Sequence, residues 1–392
     1  MVEIEFKYKT RLEKAYSLLE RQDLDYGIIT NIQNLYWLSG TAQYGSLLLS
    51  KDKWATLFIR RNYFKGKEES VLENVIEMKK TSDLKNHILN QEQRLDGLKI
   101  GMELDSLPAS YYLYYKDFLN GANIKNMELP LRKLRMVKDQ KELEIFRKAG
   151  KIAQKTQERI QEVLKPGIKE YEVAAEVVYK AMKNKSVHFS KINNEFGENF
   201  LILASGKNLY TPSYFPVLSG AGLSKAVPYG YSDRVIKKED IVMCDYAVNY
   251  KGYHADHART FYVGDSLPKK FKERYLILKN AYEEIKSEYL RAGVLTNTIF
   301  KKMEALLEKE GLAKYFQGNG YYYQGLGHGI GLELDEPPGI VAKKGIELEE
   351  NMVIALEPKI IIPNWGAIDL EDDFIIKKGK PEQITNTPYL FD

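Results

Sequence analysis

The chain has 392 residues but a single cysteine, Cys244, and only five histidines: His87, His188, His254, His257 and His328. One thiol excludes an intramolecular disulfide and any zinc site built from cysteines. So few histidines rule out a histidine-rich metal centre, and any metal must lean on carboxylates. A dominant charge sign is also missing. The 58 Lys and Arg against 54 Asp and Glu leave +4, which argues against a dedicated nucleic-acid binder. No apolar run approaches the roughly 18 residues of a membrane span. The opening MVEIEFKYKTR is charged throughout and lacks the apolar stretch of a signal peptide. The expectation is a soluble cytoplasmic protein, with no nucleic-acid and no membrane partner. Phosphate-cradling motifs are absent as well. The glycine-rich run at 324–338 lacks glycine at 330 and 332, so it is not GxGxxG, and no GxxxxGK[ST] occurs.

What is present is globular composition, 44% hydrophobic and 29% charged. At about 150 residues per domain, the length predicts two or three domains. Residues 7–23 predict an amphipathic helix, followed by short buried strands at 26–30, 44–50 and 54–59. Helices and strands alternate up to 129, so residues 1–130 read as an α/β domain and 131–392 as a second, α+β domain. Asp139 with Glu142 three residues on forms a capping box. It opens a helix towards Leu164 that stops at Pro166-Gly167, and a second helix spans 169–183. Residues 184–235 show no clear pattern. Strands are expected over 240–263 and helices over 268–291 and 296–310. The tyrosines at 111–115 read as a helix face packed on its own domain. Tyr321, Tyr322 and Tyr323 fit a pocket wall and plain packing equally well.

The chemistry lies in two acidic hairpins. Folding Asp245 to Asp256 between 250 and 251 sets the two aspartates opposite each other, and cross-strand partners share a face about 5 Å apart. Two such carboxylates beside the apolar Ile241–Cys244 run need a cation or a shared proton. The second hairpin turns about Asn364, which sets Glu357 opposite Glu371, each behind a leucine. Between the hairpins, Gly325, Gly327, Gly329 and Gly331 surround His328 and allow close backbone approach. Four carboxylates and a histidine suit two divalent ions about 3.5–4 Å apart, which generate hydroxide and polarise a carbonyl. The oxygen-rich donors put Mn2+ or Co2+ ahead of Zn2+.

These residues carry a resemblance. Asp245, Asp256, His328 in a GHGIG loop, Glu357 in an LEP strand and Glu371 in an LED strand resemble, in order and spacing, the pita-bread metallopeptidases. That family includes Xaa-Pro aminopeptidase, Xaa-Pro dipeptidase and methionine aminopeptidase, and also the metal-free creatinase. The run 134–149 is similar to the helix opening the family's catalytic domain. The N-terminal block around Asn34–Gly40 is similar to the creatinase-type N-terminal domain. The resemblance implies that Asp245, Asp256, His328, Glu357 and Glu371 are metal ligands, with Asp256 and Glu371 bridging two ions. It implies Glu357 as the catalytic base, a small peptide substrate and a homodimer. Arg259 and Thr260 resemble the family's Arg-Thr pair behind the ligands.

Three positions depart from the family pattern. Tyr229 stands where a histidine follows proline, Asp335 where a second histidine follows the ligand histidine, and Asp369 where arginine precedes the last ligand. Losing groups of this kind costs about 10²–10⁴-fold in rate. The expected function is therefore a dinuclear metallopeptidase removing an N-terminal residue, with Xaa-Pro peptides or dipeptides first. Two alternatives stand beside it: a hydrolase of another small amide, and a binding protein that keeps the fold. His254 and His257 read as non-ligands, with His254 as a minor candidate for lining the pocket. His87 and His188 read as structural, and Cys244 as packing.

Overall fold

The computed structural model describes residues 6–187, 201–211, 218, 220–318 and 325–390; His188 and Tyr321–Tyr323 lie outside them. The chain divides into two compact units, Met1–Arg135 and Met136–Asp392.

The first unit comprises α1 (Tyr8–Arg21), β1 (Tyr26–Ile29), α2 (Ile32–Ser39), β2 (Gly45–Ser50), β3 (Ala55–Ile59), α3 (Tyr63–Glu69), β4 (Val75–Glu77), α4 (Ser82–Glu92), β5 (Lys99–Met102), α5 (Ala109–Phe118), β6 (Asn123–Asn126) and α6 (Glu128–Leu134). Its sheet runs β4-β3-β2-β1-β5-β6. β1 pairs antiparallel with β2 and parallel with β5. Every residue of β1 is buried, as expected of a strand covered on both faces. Ile28, Leu48 and Phe58 pack with Leu84, Ile88 and Leu119 on one face, while a Cβ at Gly27 on the other would press against Leu19 and Met127. Among the tyrosines of α5, Tyr115 is buried, but Tyr111 and Tyr114 are exposed, so the packed face is narrower than expected. α6 runs across position 130, where the sequence suggests a boundary.

The second unit begins at the Asp139–Glu142 capping box, with both hydrogen bonds formed. It contains α7 (Gln140–Val163), α8 (Glu170–Lys183), β7 (Leu201–Ser205), β8 (Asp240–Tyr250), β9 (Tyr253–Val263), α9 (Lys269–Glu284), α10 (Thr296–Lys309), β10 (Gly327–Gly329), β11 (Val353–Leu356), β12 (Lys359–Ile362), β13 (Gly366–Asp369), β14 (Asp372–Ile375) and β15 (Glu382–Gln383). Among the described residues the sheets are β7-β8-β9, β10-β11-β14-β15 and β12-β13. Alternation along β8 sends Val242, Cys244 and Tyr246 to one face, against Ala149, Ile152 and Val173 of α7 and α8. Ile241 and Met243 point the other way, into a core with α9, α10 and β11–β14. Asp245 belongs to this second face. No helix among the described residues is long and apolar enough to cross a membrane.

Candidate metal centre

The first acidic hairpin is set by its turn. Tyr250 pairs with Tyr253, and Lys251 and Gly252 take φ of 54° and 87°. This is the two-residue turn whose twist matches the strands. The turn centre therefore falls between 251 and 252, not between 250 and 251. Asp245 pairs with Ala258 and Asp256 with Ala247, so the expected direct Asp245–Asp256 pairing is corrected to a diagonal one. A shift of two residues in the pairing keeps side-chain parity, and both aspartates still share a face.

The second hairpin keeps one register throughout. Leu356 pairs with Asp372 and Lys359 with Asp369, and that register places Glu357 across from Glu371. β10 pairs with β11, bringing His328 opposite Ala355. Close approach explains the glycines here. A Cβ at Gly329 would overlap the Pro337 carbonyl, and one at Gly331 the Glu336 carboxylate.

Asp245, Asp256, Glu357 and Glu371 are all buried, and His328 is half-buried. Ligand atoms of Asp256, His328 and Glu371 lie within 4.8 Å of one another. His328 Nδ1 donates to the Gly329 carbonyl at 3.1 Å, which leaves Nε2 facing Asp256 and Glu357, each at 3.8 Å. A carbonyl partner on one ring nitrogen is the usual way to present the other to a metal. Asp245 Oδ1 and Glu371 Oε2 have no hydrogen-bond donor among the described residues.

Burial, reinforced by mutual repulsion, holds the Asp256 and Glu371 carboxyls well above the usual carboxylate range. Burial also lifts Asp245 to about 6, against the pull of Lys359. Buried acids that face each other with lone pairs unused fit a divalent cation, which supplies the missing positive charge.

The supporting residues sort themselves by contact. Arg259 donates from Nη1 to the Glu371 carbonyl at 2.7 Å and from Nη2 to Asp372 Oδ1 at 2.8 Å. Although burial opposes charge there, Arg259 pulls Asp372 down to about 2. Thr260 Oγ1 accepts from the Asp369 amide at 2.8 Å and donates to its carbonyl at 3.1 Å. Arg259 and Thr260 thus tie β9 to the segment between β13 and β14 that carries Glu371. Tyr229 is half-buried in the loop between β7 and β8, and Asp335 is exposed. His254 Nδ1 meets the Gly331 carbonyl at 3.0 Å, and Nε2 meets Asn249 at 3.2 Å; its ring fastens the His328 loop. His257 contacts Thr387 at 3.0 Å on the opposite face.

One residue escaped the sequence reading. Lys359 is buried, and its Nζ lies 2.6 Å from Glu357, 3.2 Å from Asp369 and 3.7 Å from Asp245. Burial disfavours its charge, but Asp369, Glu357 and Asp245 outweigh that and raise its pKa. Asp369, fully buried, is lifted by burial to about 7 against the pull of Lys359. The signal was available: position 359 lies two residues after Glu357 and therefore shares its face.

Comparison with known proteins supports the same reading. The model of metallopeptidase family M24 matches residues 144–378, and that of the creatinase/prolidase N-terminal domain matches residues 11–137. The chain is 30% identical over 384 residues to a Xaa-Pro dipeptidase of Pyrococcus furiosus, covering 97% of this chain and 98% of that one. Among solved structures, the prolidase of Pyrococcus horikoshii aligns with a TM-score of 0.81 at 27% identity, covering 98% of this chain and all of that one. A Xaa-Pro dipeptidase of Bacillus anthracis aligns with a TM-score of 0.82 at 27% identity, over 98% of this chain and 99% of that one. With a creatinase-type N-terminal domain ahead of a catalytic domain of matching fold, this chain is a peptidase that belongs to metallopeptidase family M24.

Proposed function

We propose that the chain is a metal-dependent exopeptidase that removes the N-terminal residue of short peptides, with Xaa-Pro dipeptides as its first substrates. The observation that carries this is the gathering of buried Asp245, Asp256, Glu357 and Glu371 about the half-buried His328, with Asp245 Oδ1 and Glu371 Oε2 lacking a hydrogen-bond donor among the described residues. The substrate class rests on relatives named Xaa-Pro dipeptidase. By resemblance the five side chains hold two ions, and the hard oxygen donors favour Mn2+ or Co2+ over Zn2+. A divalent ion bound there lowers the pKa of water and polarises a carbonyl. Glu357 accepts the proton released as water adds to the peptide carbonyl and returns one to the leaving amine. Asp256 and Glu371 keep their oxygens aimed at the centre because Asp373 and Arg259 hold the adjoining backbone. A cytoplasmic homodimer completes the reading on family resemblance, and light scattering on the purified protein tests the dimer.

The decisive experiment is hydrolysis of an Xaa-Pro and Xaa-Ala panel, as dipeptides and longer peptides, by protein loaded with Mn2+ or Co2+. Turnover of Xaa-Pro dipeptides that vanishes with chelator is the expected outcome. Retained ion without turnover of any peptide would sink the proposed exopeptidase activity and turn attention to non-peptide amides.

A further inference from the structure

The five expected ligands do not form one group. Asp256, His328 and Glu371 converge within 4.8 Å. Asp245 Oδ2 and Glu357 Oε2 are instead gathered by the Lys359 ammonium, at 3.7 and 2.6 Å, while Glu357 Oε1 faces His328 Nε2 at 3.8 Å. The backbone dictates this. Position 359 shares the face of Glu357, and its cross-strand partner is Asp369, whose carboxylate lies 3.2 Å from the ammonium. The Lys359 side chain is 9% exposed, so its charge has no water to retreat to.

We propose that the Lys359 ammonium is a built-in cation taking the place of one of the two divalent ions that the family resemblance implies. The centre then holds a single ion at Asp256, His328 and Glu371. This rests on the metallopeptidase reading of the site. A second divalent ion would have to share Asp245 Oδ2 and Glu357 Oε2 with the ammonium, which lies 3.7 and 2.6 Å from them. It would also meet a like charge where screening is weak. Expelling the ammonium would strand Asp369, buried across the strand without its counter-charge. An ammonium donates hydrogen bonds but offers no vacant orbital to a carbonyl or to water. Lewis acidity therefore falls to the one ion, while Lys359 fixes Glu357 beside it.

The test is the stoichiometry of Mn2+ on the full chain, stripped with chelator and retitrated. It is followed by calorimetry, by elemental analysis after desalting and by low-temperature electron paramagnetic resonance. The wild type is expected to take one equivalent and show an isolated ion without exchange coupling. Any second equivalent binds at least about 10²-fold more weakly. The paired variant Lys359→Met with Asp369→Asn, which removes both charges together, is expected to accept a second ion and show exchange coupling. Two equivalents of similar affinity in the wild type would overturn the inference and leave the metallopeptidase reading standing. No bound Mn2+ would overturn both. A paired variant that folds, by circular dichroism, yet still takes one ion would remove Lys359 as the cause. If that variant does not fold, the wild-type stoichiometry decides alone.

Discussion

Glu103 in the first unit and Glu371 in the second are equally buried, each 1% exposed, and burial raises both. Their surroundings are opposite. Glu103 accepts from the Thr30 and Asn31 amides and the Asn34 side-chain amide, each at 2.6 Å. Glu371 faces Asp245 and Asp256, and its Oε2 has no donor among the described residues. Glu170 repeats the first pattern inside the second unit, taking donors from Ser205 at 2.8 Å and Ser232 at 3.0 Å. A buried acid surrounded by donors ties segments together. Buried acids surrounded by acids mark a place for a cation. Burial alone does not separate the two cases, whereas the identity of the neighbours does.

The comparison can be broken at several strengths. The largest effect is expected at the centre: Glu357→Ala should cut kcat of the ion-loaded protein by about 10²–10⁴-fold, while Glu103→Gln leaves kcat and KM unchanged. Equal losses in peptide assays of the two variants would erase the distinction. Next comes the charge pair behind the ligands. Arg259→Met leaves Asp372 with the hydroxyls of Tyr282, Thr385 and Tyr389 but without its counter-charge, and should cost about 3–5 kcal/mol of stability in denaturant titrations. A loss within the scatter of surface mutants would show that Asp372 finds another partner.

The pH dependence follows with a definite sign. Asp245 and Asp369 rise from 3.8 to about 6 and about 7, so the fold binds protons that the unfolded chain has released. Stability of the ion-free protein should therefore fall as pH rises from about 4 to about 7. Melting curves that stay flat or climb over this window without ion would contradict the cluster. The smallest effect belongs to Glu103→Gln, about 1–3 kcal/mol of stability, with Mn2+ affinity unmoved in calorimetry. A shift in affinity would mean the two regions are not independent.

Much of this is legible in the sequence because it obeys short-range rules. Asp139 and Glu142 cap their helix as their spacing predicts. The Glu357–Glu371 register follows from a turn centred on Asn364, whose φ of 58° suits asparagine. The first hairpin was displaced because the turn needs Lys251 at positive φ, and lysine carries no signal for that conformation. Asp245 and Asp256 share a face in either register because parity, not pairing, decides which face a side chain occupies. The inward course of Lys359 was hidden for another reason. A lysine usually reads as solvent-exposed, and only strand alternation together with the partner at 369 turns it inward. Tyr229 and Asp335 differ again: their roles depend on loops whose course no periodicity dictates.

The ladder pairing of 359 with 369 has a consequence for descent. Lysine without aspartate places a second cation against the ion. Aspartate without lysine adds one more unanswered charge to an acidic pocket. Each substitution alone leaves a buried charge unbalanced, and together they are close to neutral in charge. The two positions should behave as one heritable character, gained or lost as a couple across lineages, even though ten positions separate them along the chain.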